Sequence, residues 1–348
     1  MADFAHSSVS MGDLARMAGV SRMTVSLALR NHPSISETRR KEIQALAKKH
    51  AYFVDPELSS LAKSIQCRSQ KAPPILAALR FYESATSGDF APYVHQFDDC
   101  LTREVQKRGY QLQEFHVSRD KLTPKALRKV LIARGLKGLI VEAHHPDDEF
   151  ARAFDFSPFS CACPSVDQAS QALPSAGSNH YQCTLLALEE VWKKGYRKPA
   201  LLIYTNDYLQ NWHWREGAYH FFAYQKQLRL PPPLLLSEWS PKDVARWLKK
   251  HEPDVLLAPF SHTPKLLGEI GLSVPKDMAF VALQLLELGK SKVAGIDERV
   301  DVQLGALVDL VIDQMNRHVY GRQNDPSRIF ISGKWVDGAT LPVRRNAS

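Results

Sequence analysis

A short stretch near the N-terminus holds the side chains whose types and spacing are best suited to binding a macromolecule. Three side chains fall on the outward N-terminal part of one short predicted helix, where the edges of base pairs would be met in a major groove: Arg22, Met23 and Leu27. Three hydroxyl groups beside them can bind phosphates and fix the docking: Ser21, Thr24 and Ser26. The chemistry predicted for this set is recognition of double-stranded DNA.

Three predicted helices must position these side chains. Ser10, Ser21 and Ser36 each precede apolar residues at helical spacing, so each is expected to cap a helix. Gly19 permits the positive φ angle of a tight turn between the first two helices. The segment 31–33, which contains a proline, ends the second helix. This spacing is typical of a helix-turn-helix; a three-helix packing module that binds no nucleic acid is the alternative.

Positive charge is concentrated in the same region. The chain has 348 residues and a formal net charge of +8, and its first 71 residues contain 11 Lys or Arg and 6 Asp or Glu. The other 277 residues contain 34 and 31, so the rest of the chain is nearly neutral. A basic segment attached to a near-neutral body indicates a polyanionic partner for that segment only.

Beyond residue 74, short apolar runs alternate with amphipathic stretches of helical length, which predicts a parallel sheet with helices on both faces. The apolar runs are Ile75–Tyr82, Tyr110–Val117, Gly138–Val141, Pro199–Tyr204, Asp254–Pro259 and Met278–Leu283. Before them, residues 52–62 predict one or two helical turns, with Pro56 in a first-turn position. The polar stretch 67–74 predicts a linker.

The composition argues against several classes of protein. No apolar run approaches the ~18 residues that cross a bilayer, and residues 1–10 lack the features of a secretory signal, so we expect a cytoplasmic protein without a membrane partner. The five cysteines are scattered, which favours small buried side chains over a metal or redox site. Because no nucleophile–base–acid order, glycine-rich phosphate loop or metal-spaced cluster is present, we expect no enzyme, cofactor or metal.

The sequence from Gly19 to Ser26, followed by Asn31 and by Ile35–Arg39, resembles the lactose-repressor and galactose-repressor (LacI/GalR) family, in a divergent branch. The resemblance implies an all-α helix-turn-helix DNA-binding domain and an α/β two-lobed effector domain with the type I periplasmic-binding-protein-like fold. The implied domains are 1–54 for DNA binding, 55–73 for a hinge helix and linker, and 74–341 for effector binding and dimerisation. The implied N-lobe comprises about 74–167 and 291–326, and the C-lobe about 168–290 and 327–341.

The same resemblance assigns roles in DNA binding. The family reads its operator with the first residues of the second helix, here Arg22 and Met23, and with the residue at Leu27, where many members have arginine. Asn31, which ends that helix, joins this set. Leu61 fits the hinge leucine that inserts into the minor groove and kinks the duplex. The implied protein is a homodimeric regulator, expected to be a repressor, on a near-palindromic operator.

Ligands of open parallel sheets bind beyond the carboxyl ends of the strands, which directs attention to the loops of the body. The candidate effector-binding residues there are Phe81, Tyr82, His144, Trp212, Trp214, Arg215 and Gln284. The family's arginine stands three residues before a glycine–aromatic pair; Trp214 has that spacing to Gly217, and Arg215 is displaced by one residue. Gln284 stands where the late strand of most members ends in an aspartate.

A carbohydrate effector is expected from the family and from the tryptophan and amide groups near the predicted cleft, with a nucleoside as the alternative. Trp212 and Trp214 could instead pack at the start of a helix, and His144 could be an ordinary residue of a surface loop. A solute-binding protein without any DNA function is a further alternative, against which the N-terminal helices argue.

Overall fold

The computed structural model describes residues 9–32, 34–50, 52, 73–80, 91–117, 122–141, 150, 153–164, 172–204, 212–285 and 292–344. Nearly all of the predicted hinge helix and linker, with Leu61, lies outside these residues. Four candidate effector residues also lie outside the description: Phe81, Tyr82, His144 and, for its side chain, Trp212.

Three helices form the N-terminal domain: α1 (Met11–Ala18), α2 (Arg22–Leu29) and α3 (Glu37–Lys49). The predicted caps are confirmed, because the Ser10 side chain accepts a hydrogen bond from the Asp13 amide (3.2 Å) and the side chains of Ser21 and Ser36 cap α2 and α3 in the same way. Gly19 has a φ angle of 63°, as the predicted tight turn requires.

The inward faces of these helices share one apolar core. Its fully buried members are Leu14, Ala15, Val25, Ala28, Ile43 and Ala47. Leu29 and Leu46, which are partly buried, pack against this core. Because Val25 and Ala28 occupy the inner side of α2, the opposite side of that helix faces solvent.

The body alternates strands and helices, as predicted. Its strands are β1 (Ile75–Arg80), β2 (Gln111–His116), β3 (Gly138–Val141), β4 (Ser160–Ala162), β5 (Ser175–Ser178), β6 (Pro199–Tyr204), β7 (Leu234–Leu236), β8 (Val255–Phe260), β9 (Ala279–Gln284), β10 (Gly295–Asp297), β11 (Arg328–Ile331) and β12 (Lys334–Val336). Its helices are α4 (Ala91–Lys107), α5 (Pro124–Ala133), α6 (His180–Lys193), α7 (Trp212–Gln225), α8 (Pro241–His251), α9 (Thr263–Glu269) and α10 (Val300–Arg317). All six predicted apolar runs are strands, with bounds shifted by two residues at most.

Two parallel sheets define two lobes. The first sheet has the order β2-β1-β3-β4, and the second has the order β12-β10-β9-β8-β6-β7, in which β12 alone is antiparallel to its neighbour. Alternate residues of a strand enter different cores, since Leu139 packs with Leu127 of α5 and Ile140 with Leu307 of α10. Both faces of the first sheet are therefore covered by helices, as a parallel sheet requires.

The chain changes lobes next to three short strands. It leaves the first lobe through β5, which pairs with β11, and it returns between β10 and α10. The predicted return near residue 291 is therefore too early, because β10 still pairs within the second sheet. A side chain at Gly295 would place a Cβ atom 2.2 Å from the carbonyl oxygen of Ala282, so only glycine lets β10 approach β9 this closely.

Four cysteines fall within the described residues, and all are buried thiols, as predicted: Cys100, Cys161, Cys163 and Cys183. In the same part of the chain, no group of three or more His, Cys, Asp or Glu residues could hold a metal ion. Likewise, no described helix is long and apolar enough to cross a membrane.

Candidate nucleic-acid interface and effector site

The N-terminal end of α2 presents its side chains to solvent. Met23 is 70% exposed, and Arg22 beside it is also exposed. The cap at Ser21 holds the first turn of the helix in place, because its Oγ accepts a hydrogen bond from the Thr24 amide (3.1 Å) and bonds to the Thr24 hydroxyl (2.9 Å). A guanidinium and a thioether thus stand on a rigid turn at the start of a short, capped helix.

Some of the other candidate DNA-binding side chains are less exposed than the sequence suggested. Leu27, predicted to face outward, is only partly exposed, since it adjoins the buried Ala28, and Ser26 is partly exposed beside the buried Val25. Asn31, which is exposed, ends α2 in the left-handed conformation with a φ angle of 57°, and its Oδ1 accepts a hydrogen bond from Gln44 (2.8 Å). The Asn31 side chain thus joins α2 to α3, whereas Arg22 and Met23 are exposed at the start of α2.

Two of the candidate effector residues lie buried near the carboxyl ends of strands in the second lobe. Gln284 is the last residue of β9 and is 4% exposed, and Arg215 in the first turn of α7 is 2% exposed. The side-chain oxygen of Gln284 is buried without a hydrogen-bond partner within the described part of the chain. A buried amide oxygen without a partner costs stability unless a ligand donates to it.

Arg215, and not Trp214, takes the inner position at the start of α7. Spacing to Gly217 favoured Trp214, but that side chain is 38% exposed. Tyr219, which with Phe222 is a fully buried aromatic residue of this helix, follows Arg215 by four residues and therefore lies on the same face. Counted to the pair Ala218–Tyr219, Arg215 has the three-residue spacing that the resemblance predicts, so Arg215 and not Trp214 is the candidate for the family's arginine.

The structure adds two residues that the sequence reasoning missed. The carboxylate of Glu298, which is 4% exposed, lies 3.1 Å from Nδ1 of His180 and 3.9 Å from an Nη atom of Arg215. Burial by itself would raise the pKa of Glu298, but the hydrogen bond and charge of His180, with Arg215 and Ser178, hold that pKa below its ordinary value. The site therefore contains a buried carboxylate in its charged form, paired with a buried guanidinium.

Both missed residues follow the carboxyl ends of strands, where the general rule places ligands. His180 begins α6 just after β5, and Glu298 follows β10 directly. The rule would have found both residues if β5 and β10 had been recognised as strands. Arg215, His180, Glu298 and Gln284 are together called the inter-lobe site, because His180 and Glu298 lie where the chain passes between the two lobes.

The N-terminal helices match a known protein family. The family described as "Bacterial regulatory proteins, lacI family" matches residues 10–55, which include α1, α2 and α3. By this match, residues 10–55 are a LacI-family domain. The predicted resemblance to that family is confirmed, and α1, α2 and α3 form a helix-turn-helix of the LacI type.

A curated relative is also a regulator of the helix-turn-helix type. The HTH-type transcriptional regulator GntR of Pseudomonas aeruginosa is 22% identical over 195 residues, which make up 56% of this chain and 52% of that relative. The chain thus spans about half the length of the curated relative that it matches.

Solved structures are similar to this chain along most of its length. The transcriptional regulator CelR in complex with cellobiose has a TM-score of 0.57 at 14% identity, covering 94% of this chain and 98% of that one. The lac repressor dimer bound to operator and the anti-inducer ONPF has a TM-score of 0.57 at 17% identity, covering 96% and 99%. A LacI-family regulatory protein from Chloroflexus aggregans has a TM-score of 0.59 at 13% identity, covering 78% and 99%. These likenesses confirm the predicted fold, a helix-turn-helix domain with a periplasmic-binding-protein-like body.

Proposed function

We propose that this LacI-family protein is a sequence-specific DNA-binding repressor of transcription whose affinity for its operator is controlled by a carbohydrate. The observation that carries the proposal is the exposed pair Arg22 and Met23 on the capped first turn of α2. An arginine at this place in a helix-turn-helix can donate two hydrogen bonds to a guanine, and a methionine can contact a thymine methyl group.

The proposed DNA complex is that of a homodimer. Two α2 helices enter successive major grooves about 34–36 Å apart, so the operator is a near-palindrome. Ser21, Thr24 and Ser26 contact phosphates, and Leu27 and Asn31 border the contacted bases. Leu61 of each protomer inserts into the central minor groove. A solved relative of the same fold is a dimer bound to its operator, which supports this arrangement.

The effector site of the proposal is the inter-lobe site, extended by Phe81, Tyr82, His144, Trp212 and Trp214. Because the charge of Arg215 is already balanced by the carboxylate of Glu298, an uncharged ligand is favoured over a sugar acid or a sugar phosphate. Hydroxyl groups of a sugar can donate to the buried oxygen of Gln284. A solved structural relative is a complex with the neutral sugar cellobiose, which supports this class of ligand.

One experiment tests both parts of the proposal. The purified full chain is used to select duplexes from a random pool, first alone and then with neutral sugars, sugar acids, sugar phosphates and nucleosides. We expect a near-palindromic sequence to be enriched, and a neutral sugar to change its affinity by population shift between states of the two lobes. The absence of any enriched sequence at moderate salt would refute the DNA function, and a response to a charged ligand or nucleoside alone would refute the effector class.

A further inference from the structure

The guanidinium of Arg22 lies against the backbone of Gly12 in the first turn of α1. A Cβ atom at residue 12 would be 2.7 Å from an Nη atom of Arg22, 2.9 Å from its Nε and 3.1 Å from its Cζ. The first two distances are shorter than side chains tolerate, so an alanine at residue 12 would require the guanidinium to move. On their solvent-facing side, α2 and α1 are thus in contact through Arg22 and Gly12.

Backbone conformation does not explain the glycine at residue 12. Gly12 is the second residue of α1 and lacks the left-handed φ angle that Gly19 has at the end of the same helix. Glycine is a poor helix former compared with alanine, so its presence here weakens α1 locally. What the missing Cβ atom provides at this position is room for the side chain of Arg22.

A side chain that rests on a neighbouring helix presents its donors in a restricted direction. Arg22 remains exposed overall, so its outer edge is accessible while its inner side lies on Gly12. The two-pronged fit of a guanidinium to the O6 and N7 atoms of guanine depends on the direction of its plane. A restricted side chain also loses less conformational entropy when it binds.

We propose that Gly12 is a positioning residue for Arg22, and that it fixes which base pair the arginine reads and how strictly. The proposal rests on the proposed DNA function. Residue 12 then determines base preference indirectly, because the absence of a side chain there leaves room for the guanidinium of Arg22.

The test compares three variants of the full chain: Gly12→Ala, Arg22→Ala and Gly12→Ala/Arg22→Ala. Affinity is measured for the duplex that the wild type enriches, for that duplex with the Arg22-dependent base pair replaced, and for a duplex of shuffled sequence. The matched control is Gly268→Ala in α9, where an added Cβ atom meets nothing within 4 Å. Thermal unfolding midpoints are recorded for all variants.

We expect Gly12→Ala to weaken binding to the selected duplex by about threefold to tenfold, the range for one side chain that must be ordered anew. Discrimination at the Arg22-dependent base pair should fall, while affinity for the shuffled duplex and the unfolding midpoint stay equal to or above those of the wild type. In the Arg22→Ala background, Gly12→Ala should have no further effect on DNA binding.

The outcomes separate this proposal from the one on which it rests. If Arg22→Ala leaves base preference unchanged, the proposed role of Arg22 in DNA reading fails. If Arg22→Ala relaxes the preference and Gly12→Ala does not, the positioning role of Gly12 is overturned and the DNA function stands. A Gly12→Ala protein that unfolds earlier and loses affinity for both duplexes equally would also overturn the positioning role, because it would show a structural effect.

Discussion

Each of the two candidate binding sites of this protein contains an arginine, and the two arginines differ in their exposure to solvent. On α2, Arg22 is exposed, with its guanidinium accessible at the surface. In the inter-lobe site, Arg215 is 2% exposed and lies beside the charged carboxylate of Glu298. An exposed cation can neutralise a phosphate of a polyanion and release its counterions. A buried cation with its own counter-charge suits a ligand that brings no net charge, so the difference in burial supports the different ligands that are proposed for the two arginines.

The largest expected effect comes from removing one charge of the buried pair Arg215 and Glu298. Glu298→Ala removes the counter-charge of Arg215, and loss of one partner of a buried pair costs about 3–5 kcal/mol. Denaturant unfolding of the full chain should show a decrease of that size in the unfolding free energy. The matched control is Glu37→Ala, which removes an exposed pair with Lys41 and should change stability by less than about 1 kcal/mol. Equal effects of the two substitutions would contradict the distinction between buried and exposed charge.

Substitution of the exposed Arg22 should change the affinity for DNA and leave the unfolding free energy unchanged. Arg22→Ala is expected to weaken binding to the selected duplex by roughly tenfold to a hundredfold, equivalent to about 1–3 kcal/mol for a two-pronged base contact. The control Lys41→Ala removes the same charge from an exposed position on α3, and should lower affinity slightly and equally for all sequences. Titrations at fixed salt check both. A loss of the same size for shuffled and selected duplexes with Arg22→Ala would mean that this arginine contacts phosphates only.

A smaller change in unfolding free energy is expected to distinguish two buried glutamines, Gln314 and Gln284. Gln314 donates to the carbonyl oxygens of Cys161 (2.9 Å) and Leu310 (3.0 Å), whereas the amide oxygen of Gln284 has no partner among the described residues. Gln314→Leu should therefore lower the unfolding free energy by about 1–3 kcal/mol, and Gln284→Leu should leave it unchanged or raise it by up to about 1 kcal/mol. Calorimetry should find sugar affinity reduced only by the change at Gln284. Equal destabilisation by both would show that the oxygen of Gln284 is satisfied without a ligand.

The smallest expected effect is a dependence on pH. Because the pKa of Glu298 is lowered on folding, its charged form stabilises the native state above the ordinary pKa of 4.5, and that contribution is lost as the pH falls through the lowered value. The difference in unfolding free energy between wild type and Glu298→Gln should be constant between about pH 6 and 8 and should shrink in acid. A difference that grows as the pH falls would contradict the direction of the shift.

Local rules were enough to predict the N-terminal domain and the longer strands of the body. Ser10, Ser21 and Ser36 each predict the start of a helix, because a cap is formed by one side chain and backbone amides only two or three residues away. Strands such as β6 (PALLIY) and β8 (VLLAPF) are apolar along their whole length, as a parallel sheet buried on both faces requires. Both features depend on neighbours in the sequence, so they can be read without the rest of the molecule.

The inter-lobe site could be predicted only in part, because its remaining members depend on contacts between distant segments. The strand β5 has the sequence SAGS and β10 has the sequence GID, and neither contains an apolar run. They are strands because they pair with β11 and β9, so His180 and Glu298 were missed with them. Trp214 and Arg215 are adjacent and therefore point about 100° apart around the axis of α7. Which of them faces inward depends on the buried face of the helix, which Tyr219 marks.

The two connectors between the lobes bring together residues of the candidate effector site. Glu298 sits one residue beyond β10 and His180 two residues beyond β5, so both residues lie where the chain passes from one sheet to the other, and both are near Arg215. Under the proposed function, a sugar bound to Arg215, His180 and Glu298 contacts both connectors at once. We therefore expect its binding to change the angle between the lobes directly, without a relay through either sheet.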